Sequence, residues 1–244
     1  MKPVIKHLSL IILLGLFLIK VNAQQITEHI VLESDGWEIK GVLTLPEDQS
    51  GNIPLVIMTH TMWGGNKSEY KKTAAVFAEM GVASLRIDLR GHGESTNKGK
   101  LERGDVDPKL VFEAWPDIIA AHKFVKSHPK IDSTKIGFIG ASYSGDLIAK
   151  SGRNYEFGTA YVILASGMFS SESMIWMRYS NADWLHIVAE DDHTFAPETV
   201  RLIKERDWAE TIFYENGGHA TAMLENLPEL DSRLAQWFLE KFTN

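Results

Sequence analysis

Ser142 lies in the segment GASYSG, between an apolar run that predicts a strand and a run with helical spacing. A serine on such a tight strand-to-helix turn is pushed out of the sheet, provided that small neighbours let strand and helix cross. The usual pattern is G-x-S-x-G, but here the fifth position is Ser144 and Gly145 follows it. Because serine is also small, we predict Ser142 as a nucleophile. A helix N-cap serine, or Ser144 as the nucleophile, are the alternatives.

A serine hydroxyl is a weak nucleophile until a base removes its proton. His219 follows Gly217 and Gly218 in the loop between the last predicted strand and the final predicted helix. A histidine in a surface loop without a chemical role is the alternative interpretation. His186 lies inside a predicted strand, which favours packing. We therefore predict His219 as the base.

The base needs a carboxylate that fixes its tautomer and stabilises its positive charge. The predicted strand WLHIVA is followed directly by Glu190, Asp191 and Asp192. We predict Asp192 as this acid, because it comes three residues after the small residue Ala189. Asp191 is the alternative, since a shift of one residue is within the error of sequence reading.

Negative charge that develops on a substrate oxygen needs hydrogen-bond donors, an oxyanion hole. One predicted donor is the backbone N–H of Tyr143, directly after the predicted nucleophile. The second should come from the loop THTMWGGN, whose glycines let the backbone approach a ligand closely. Met62 is the predicted second donor, with Thr61 as the alternative.

The N-terminus carries Lys2 and Lys6 before an apolar run of 12 residues over 8–19, and Ala23 offers a small residue for cleavage. This pattern predicts a signal peptide over 1–23 and one domain over 24–244, in a secreted or periplasmic protein. The apolar run is short for a bilayer span, which needs about 20 residues. We therefore expect no stable membrane insertion after cleavage, and an uncleaved anchor is the alternative.

The composition, with 44% hydrophobic and 23% charged residues, is typical of a globular domain. Loss of residues 1–23 would remove three lysines and no acid, which changes the formal net charge from −7 to −10. Such a surface repels phosphate backbones, so we expect no nucleic-acid partner. The chain has no cysteine, which excludes disulfides and thiolate chemistry. No ligand spacing for a metal or organic cofactor is present, and the oligomeric state stays open.

Short β-rich runs alternate with longer amphipathic ones after the leader. Predicted strands cover 26–32, 37–45, 53–60, 82–89, 135–141, 159–165, 184–190 and 211–215. Predicted helices cover 67–80, 118–126, 143–151, 197–206 and a terminal stretch from about 222. The polar stretch 96–107 predicts a mobile surface loop. This order predicts an α/β fold with a mostly parallel eight-stranded sheet and helices on both faces.

The motifs THTMWGGN, RIDLRGHGES, GASYSG, AEDDHTFAP and GGHA appear in an order that resembles the α/β-hydrolase superfamily. The likeness is nearest to the small esterases and serine peptidases of the feruloyl esterase, monoacylglycerol lipase and dienelactone hydrolase groups. It implies an eight-stranded sheet, a triad in the order serine, acid, histidine, and an acyl-enzyme intermediate. It also implies that Asp88, Arg90 and His92 are scaffold. One departure is His60-Thr61 where relatives usually have His-Gly.

A second departure is the short stretch 167–183, where relatives often carry a large lid. Its apolar residues predict a minimal lid, a flap over an acyl pocket that is lined by Trp63, Met168, Phe169 and Trp176. A loop that covers the edge of the core is the alternative.

The sequence therefore predicts a secreted serine hydrolase that cleaves a small-molecule carboxylic ester through an acyl-enzyme intermediate. An amidase or peptidase with the same triad is one alternative. A secreted binding protein of the same fold, without turnover, is the other.

Overall fold

A computed structural model describes residues 25–47, 50–155 and 158–243. The predicted signal peptide over 1–23 lies outside the described residues. The strands are β1 (Gln25–Ser34), β2 (Trp37–Pro46), β3 (Ile53–Thr59), β4 (Ala83–Ile87), β5 (Ile131–Ala141), β6 (Ala160–Leu164), β7 (Asp183–Ala189) and β8 (Glu210–Tyr214). The helices are α1 (Lys71–Glu79), α2 (Pro108–Val111), α3 (Trp115–Lys126), α4 (Ser144–Tyr155), α5 (Ser171–Tyr179), α6 (Ala196–Glu205), α7 (Ala222–Asn226) and α8 (Leu230–Thr243).

The eight strands form one sheet in the order β1-β2-β4-β3-β5-β6-β7-β8. β2 pairs antiparallel with both β1 and β4, and every other neighbouring pair is parallel. The central strands read as apolar runs because both of their faces are covered by helices. α3, α4 and α5 pack on one face, and α1 and α8 pack on the other. The predicted α/β fold with a mostly parallel eight-stranded sheet is confirmed.

Several helix boundaries differ from the predicted ones, and two of the differences have a clear structural reason. α4 does not stop at Gly152 but runs on to Tyr155. A Cβ at Gly152 would lie 2.4 Å from Cη2 of Trp176, so this glycine gives the ring room against the helix. The predicted terminal helix is two helices, α7 and α8, and Pro228 lies between them. Proline cannot donate the backbone hydrogen bond that a continuous helix requires.

The stretch 167–183 is partly helical, because α5 occupies its centre. The polar stretch 96–107 is irregular, and its first part is attached to the β1–β2 turn. The backbone N–H of Glu38 donates to Oδ1 of Asn97 at 3.0 Å, and Lys98 donates to the Asp35 carbonyl at 2.7 Å. Among the described helices, none combines the length and the apolar composition needed to cross a bilayer.

Candidate active site

Ser142 lies at the sharp turn between the end of β5 and the start of α4. Its φ of +54° is in the left-handed region, which costs a non-glycine residue free energy. Two backbone hydrogen bonds hold this conformation. The N–H of Ser142 donates to the Leu164 carbonyl at 2.9 Å, and the N–H of Gly145 donates to the Ser142 carbonyl at 3.1 Å. The turn presents the Ser142 side chain to the cavity at the carboxyl end of the sheet.

Ser144 occupies the usual second-glycine position of the motif and is fully buried. Its Oγ accepts from the Ala141 N–H at 2.9 Å and lies 3.0 Å from Oγ1 of Thr59. The hydroxyl thus joins the ends of β5 and β3 and does not line the cavity around Ser142. The position of Ser144 therefore gives no support to the alternative in which it is the nucleophile.

His219 stands between Ser142 and Asp192. Its Nε2 lies 2.9 Å from Oγ of Ser142, and its Nδ1 lies 2.7 Å from Oδ2 of Asp192. The Asp192 carboxylate is buried, and its Oδ1 accepts the Thr194 N–H at 2.9 Å. A carboxylate at Nδ1 fixes the tautomer that leaves Nε2 free to accept the serine proton. The structure thus brings together the three residues that the sequence predicts as a triad.

Asp191 has a different set of contacts from Asp192. Its Oδ1 accepts the backbone N–H of Gly217 at 3.0 Å and of Gly218 at 2.9 Å. The hydrogen bond from Gly218 is the main cause that holds the pKa of Asp191 below its ordinary value. Asp191 therefore fixes the loop that carries His219, whereas Asp192 contacts the imidazole itself.

Met62 and Tyr143, the residues predicted to donate to an oxyanion, both line the cavity around Ser142. In the hydrogen bonding of the described residues, neither Met62 nor Tyr143 donates its N–H to a protein acceptor. The N–H of Thr61, the alternative donor, is occupied because it donates to Oε2 of Glu69 at 3.1 Å. The turn after Met62 is tight, and a Cβ at Gly65 would lie only 1.9 Å from the Thr61 carbonyl oxygen.

His60 and His92 form a buried layer beneath Tyr143. The ring centroids of His60 and His92 are 4.8 Å apart, and those of His92 and Tyr143 are 5.6 Å apart. Nε2 of His60 accepts the Leu89 N–H at 3.0 Å. Desolvation by burial lowers the pKa of His60, and it lowers the pKa of His92 to about 4. These neutral imidazoles lie within and next to the loop THTMWGGN over 59–66, which is called the oxyanion loop after its predicted role.

Asp88 and Arg90 belong to a polar network next to this layer. Asp88 accepts the backbone N–H of Lys67 at 2.6 Å and of Glu94 at 2.9 Å. Arg90 donates through Nε and Nη2 to the buried carboxylate of Asp117. Neither Asp88 nor Arg90 lines the cavity. These contacts agree with the scaffold role that the resemblance implies for both residues.

The cavity above Ser142 has a volume of about 540 Å³. Its walls are mainly apolar and come from the oxyanion loop, the stretch 106–112 and the loops after β6 and β7. The lining residues are Thr61, Met62, Trp63, Val106, Val111, Phe112, Ser142, Tyr143, Ser166, Gly167, Met168, Thr194, Phe195 and His219. Several apolar side chains at its mouth are exposed, and Phe195 is the most open of them at 78%.

The predicted pocket residues divide into two groups. Trp63 and Met168 line the cavity as predicted. Phe169 and Trp176 do not, and this part of the prediction is wrong. Phe169 packs edge-on against the buried His186, and Trp176 packs edge-on against Tyr161. Trp176 belongs to helix α5, and Phe169 directly precedes the N-cap residue Ser170 of that helix, in a stretch for which the sequence predicts no helix.

Sequence reasoning missed the walls that come from outside the predicted flap. Val106 lies in the stretch 96–107 that the sequence marks only as polar, Phe112 follows that stretch without a predicted role, and Phe195 follows the predicted acid by three residues. An isolated valine within a polar loop is the one signal in the sequence for this wall. In the described part of the chain, no group of three or more histidine or acidic side chains is arranged to hold a metal ion.

The family comparison covers almost the whole described fold. The family described as X-Pro dipeptidyl-peptidase (S15 family) matches residues 35–238. The thiohydrolase aneE of Aspergillus aculeatus is 32% identical over 114 residues, which is 47% of this chain and 33% of the relative. The match thus spans about a third of that relative's own length.

Solved structures of low sequence identity share the fold. Est1E from Butyrivibrio proteoclasticus, solved with ferulic acid bound, has a TM-score of 0.73 at 16% identity, with 88% of this chain and 100% of that chain covered. An acetyl xylan esterase from Paenibacillus has a TM-score of 0.65 at 19% identity, with 91% of this chain and 85% of that chain covered. The resemblance to the α/β-hydrolase superfamily is confirmed, and the chain belongs to the X-Pro dipeptidyl-peptidase (S15) family, as a hydrolase of the α/β-hydrolase type.

Proposed function

We propose that the protein is a serine hydrolase that cleaves carboxylic esters of small molecules, with Ser142, His219 and Asp192 as its catalytic residues. The observation that carries this proposal is the pair of hydrogen-bond distances at His219, whose Nε2 lies 2.9 Å from Ser142 Oγ and whose Nδ1 lies 2.7 Å from Asp192 Oδ2. Ser142 and His219 line an apolar cavity whose size suits a small acyl or alcohol group.

The reaction proceeds in two halves. Nε2 of His219 takes the proton of Ser142 as Oγ attacks the ester carbonyl, and the imidazolium is stabilised by Asp192. The tetrahedral intermediate collapses, the C–O bond to the alcohol breaks, and His219 returns the proton to the leaving oxygen. Water then attacks the acyl-enzyme with His219 as base, and the carboxylic acid leaves with Ser142 restored.

In both halves of the reaction, the backbone N–H groups of Met62 and Tyr143 donate hydrogen bonds to the negatively charged substrate oxygen. They are main-chain donors held by a glycine turn and by the start of α4, so they need little reorganisation during the reaction. Removal of one such donor in other hydrolases costs about 10²–10³ in kcat.

A peptidase that releases dipeptides is the second candidate, and the family match favours it. Such an enzyme must bind a free α-amino group, which an acidic side chain would pair with. Among the described residues that line the cavity, none is aspartate, glutamate, lysine or arginine. An uncharged wall of this kind supports a neutral ester over a charged peptide terminus.

A substrate panel separates these candidates. The purified protein is assayed with p-nitrophenyl esters of increasing acyl length, with a thioester, and with an X-Pro p-nitroanilide, each beside the Ser142→Ala variant. We expect ester turnover that the variant lacks, and little amide turnover. Faster cleavage of the X-Pro amide than of the esters would favour the peptidase over the esterase. Folded wild-type protein without any turnover would favour a binding protein without catalysis.

We also propose that the chain is exported, with cleavage after Ala23. The basic start, the apolar run over 8–19 and the small residues before Gln24 support this. Expression of the full-length chain, cell fractionation and N-terminal sequencing test it. A mature protein that begins at Gln24 outside the cytoplasm is the expected result, and an intact N-terminus in the cytoplasm would contradict it.

A further inference from the structure

We propose that Glu69 is a positioning residue that fixes the oxyanion loop and the loop of His219 relative to each other. This inference rests on the proposed function. The carboxylate makes three hydrogen bonds to two separate loops. It accepts the Thr61 N–H at 3.1 Å, the Thr61 hydroxyl at 2.8 Å and the Thr221 hydroxyl at 2.9 Å.

The two threonines each adjoin a part of the proposed machinery. Thr61 directly precedes Met62, whose N–H is the second oxyanion donor. Thr221 follows His219 by two residues, and Ala220 between them has a φ of +52°. A left-handed alanine stores strain that the loop would release without an outside contact. Glu69 supplies that contact through the Thr221 hydroxyl. One side chain therefore fixes the Met62 N–H and the His219 imidazole relative to each other.

Glu69 belongs to a segment that is itself held in place by hydrogen bonds. It belongs to the single turn of 3-10 helix at Lys67–Tyr70, which Asn66 caps by accepting the Ser68 N–H at 2.9 Å. The buried Tyr70 donates its hydroxyl to the Thr59 carbonyl at the end of β3 at 3.0 Å. The Glu69 carboxylate is therefore held in a fixed position relative to the sheet. Its hydrogen bonds hold both loops at that position.

The charge of Glu69 opposes catalysis, because a negative charge near the oxyanion loop disfavours negative charge on the substrate oxygen. A favourable effect of this residue must therefore come from geometry. Glutamine keeps the geometry, since its carbonyl oxygen in the place of Oε2 accepts from the Thr61 N–H and the Thr221 hydroxyl, and its amide NH2 in the place of Oε1 donates to the Thr61 hydroxyl. Alanine removes all three hydrogen bonds. Comparison of Glu69→Gln with Glu69→Ala thus separates position from charge.

The test measures kcat and KM for a p-nitrophenyl ester, together with the Tm of each variant. A misplacement of about 1 Å costs roughly 10²-fold in rate, so we expect Glu69→Ala to lower kcat by about 10- to 100-fold with KM within about 3-fold. Glu69→Gln should recover most of the rate. Thr221→Val, which deletes one hydroxyl, should lower kcat by a smaller factor and add nothing to Glu69→Ala.

Asp132→Ala is the matched control. Asp132 also accepts one backbone N–H and one threonine hydroxyl, both from Thr134, at 3.0 and 2.6 Å, but it lies at the start of β5 and away from the cavity. Its kcat should equal that of the wild type. If Glu69→Ala fails to fold, Thr221→Val decides the question, and an unchanged kcat there contradicts the inference.

The outcomes distinguish this inference from the proposed function. A wild type with ester turnover and a folded Glu69→Ala variant at full kcat overturn the positioning role alone. Equal impairment of Glu69→Gln and Glu69→Ala also overturns it, because the hydrogen bonds would then not matter. A wild type without turnover overturns the proposed function and this inference with it.

Discussion

Gly145 lies against Gly140 so closely that a Cβ on Gly140 would stand 2.9 Å from the Gly145 Cα. This contact is the place where β5 and α4 cross beneath Ser142. Gly145 also contacts β6, since a Cβ there would lie 2.9 Å from Cγ2 of Ile163. The usual G-x-S-x-G pattern places a glycine for this close packing at the position that Ser144 occupies. In this chain, Gly145 makes the close contacts instead. Ser144 is free to use its hydroxyl for hydrogen bonds within the fold.

Ser144→Ala should therefore change stability and not reactivity. The variant leaves the buried Ala141 N–H without its acceptor, which costs about 1–3 kcal/mol in the free energy of unfolding. Urea unfolding measures this loss, and a fluorophosphonate probe should still label the protein. A folded Ser144→Ala variant that no longer reacts would contradict the structural role of this serine.

The two neighbouring acids should differ sharply in their effect on rate. Asp192→Asn removes the partner that fixes the His219 tautomer and should lower kcat by roughly 10³- to 10⁴-fold. Asp191→Asn keeps an oxygen that can accept from Gly217 and Gly218, so its kcat should stay within about 10-fold of the wild type. Ester kinetics on both variants decide the matter, and the reverse ranking would assign Asp191 as the acid.

Acid should unfold the protein in part through His186. Desolvation in the core lowers the pKa of this histidine to about 3, and its Nδ1 has no hydrogen-bond partner among the described residues. Between pH 6.5 and about 3 the unfolded chain binds a proton there that the folded chain does not. Stability therefore falls as the pH falls through this window, by up to about 1.4 kcal/mol per pH unit.

His186→Leu removes this contribution to the pH dependence. Urea unfolding midpoints at a series of pH values should decline less steeply toward acid for the variant than for the wild type. Measurements at pH 8, above the window, give the effect of the substitution on packing alone. Parallel slopes for the two proteins would show that His186 is not titrating on unfolding.

The corrected cavity walls predict different effects for two residues of the stretch 167–183. Met168 lines the cavity and is 55% exposed, so Met168→Ala should raise KM for apolar acyl groups without loss of stability. Trp176 packs against Tyr161 and Gly152, so Trp176→Ala should lower the Tm and leave KM unchanged. Ester kinetics and thermal melts of both variants test this. A raised KM in Trp176→Ala would restore the predicted flap.

Much of the fold is readable from the sequence because its central strands are buried on both faces. The run LVIM over 55–58 in β3 is apolar throughout, with Pro54 before it and Gly64 and Gly65 after it, so its limits are marked by composition. The residues Ser142, Asp192 and His219 could be predicted as a group, since each follows a strand of the parallel sheet at the same edge. Local patterns are sufficient for such features.

Contacts between distant segments were not readable. Glu69 and Thr221 are 152 residues apart, and no periodicity connects them. The ring of Trp176 finds its place against Gly152 only when α4 and α5 are packed, so its apolar character alone suggested a pocket wall. In both cases the position depends on side-chain packing between elements, which sequence spacing does not determine.

The most direct test of the central claim is covalent labelling of the purified protein by a fluorophosphonate, read by intact mass and peptide mapping. An activated serine attacks the phosphorus, and the adduct marks the nucleophile. We predict one adduct on Ser142 in the wild type, no adduct in Ser142→Ala, and unchanged folding of that variant by circular dichroism. A folded wild type that does not react, or an adduct that persists in Ser142→Ala, would contradict the account.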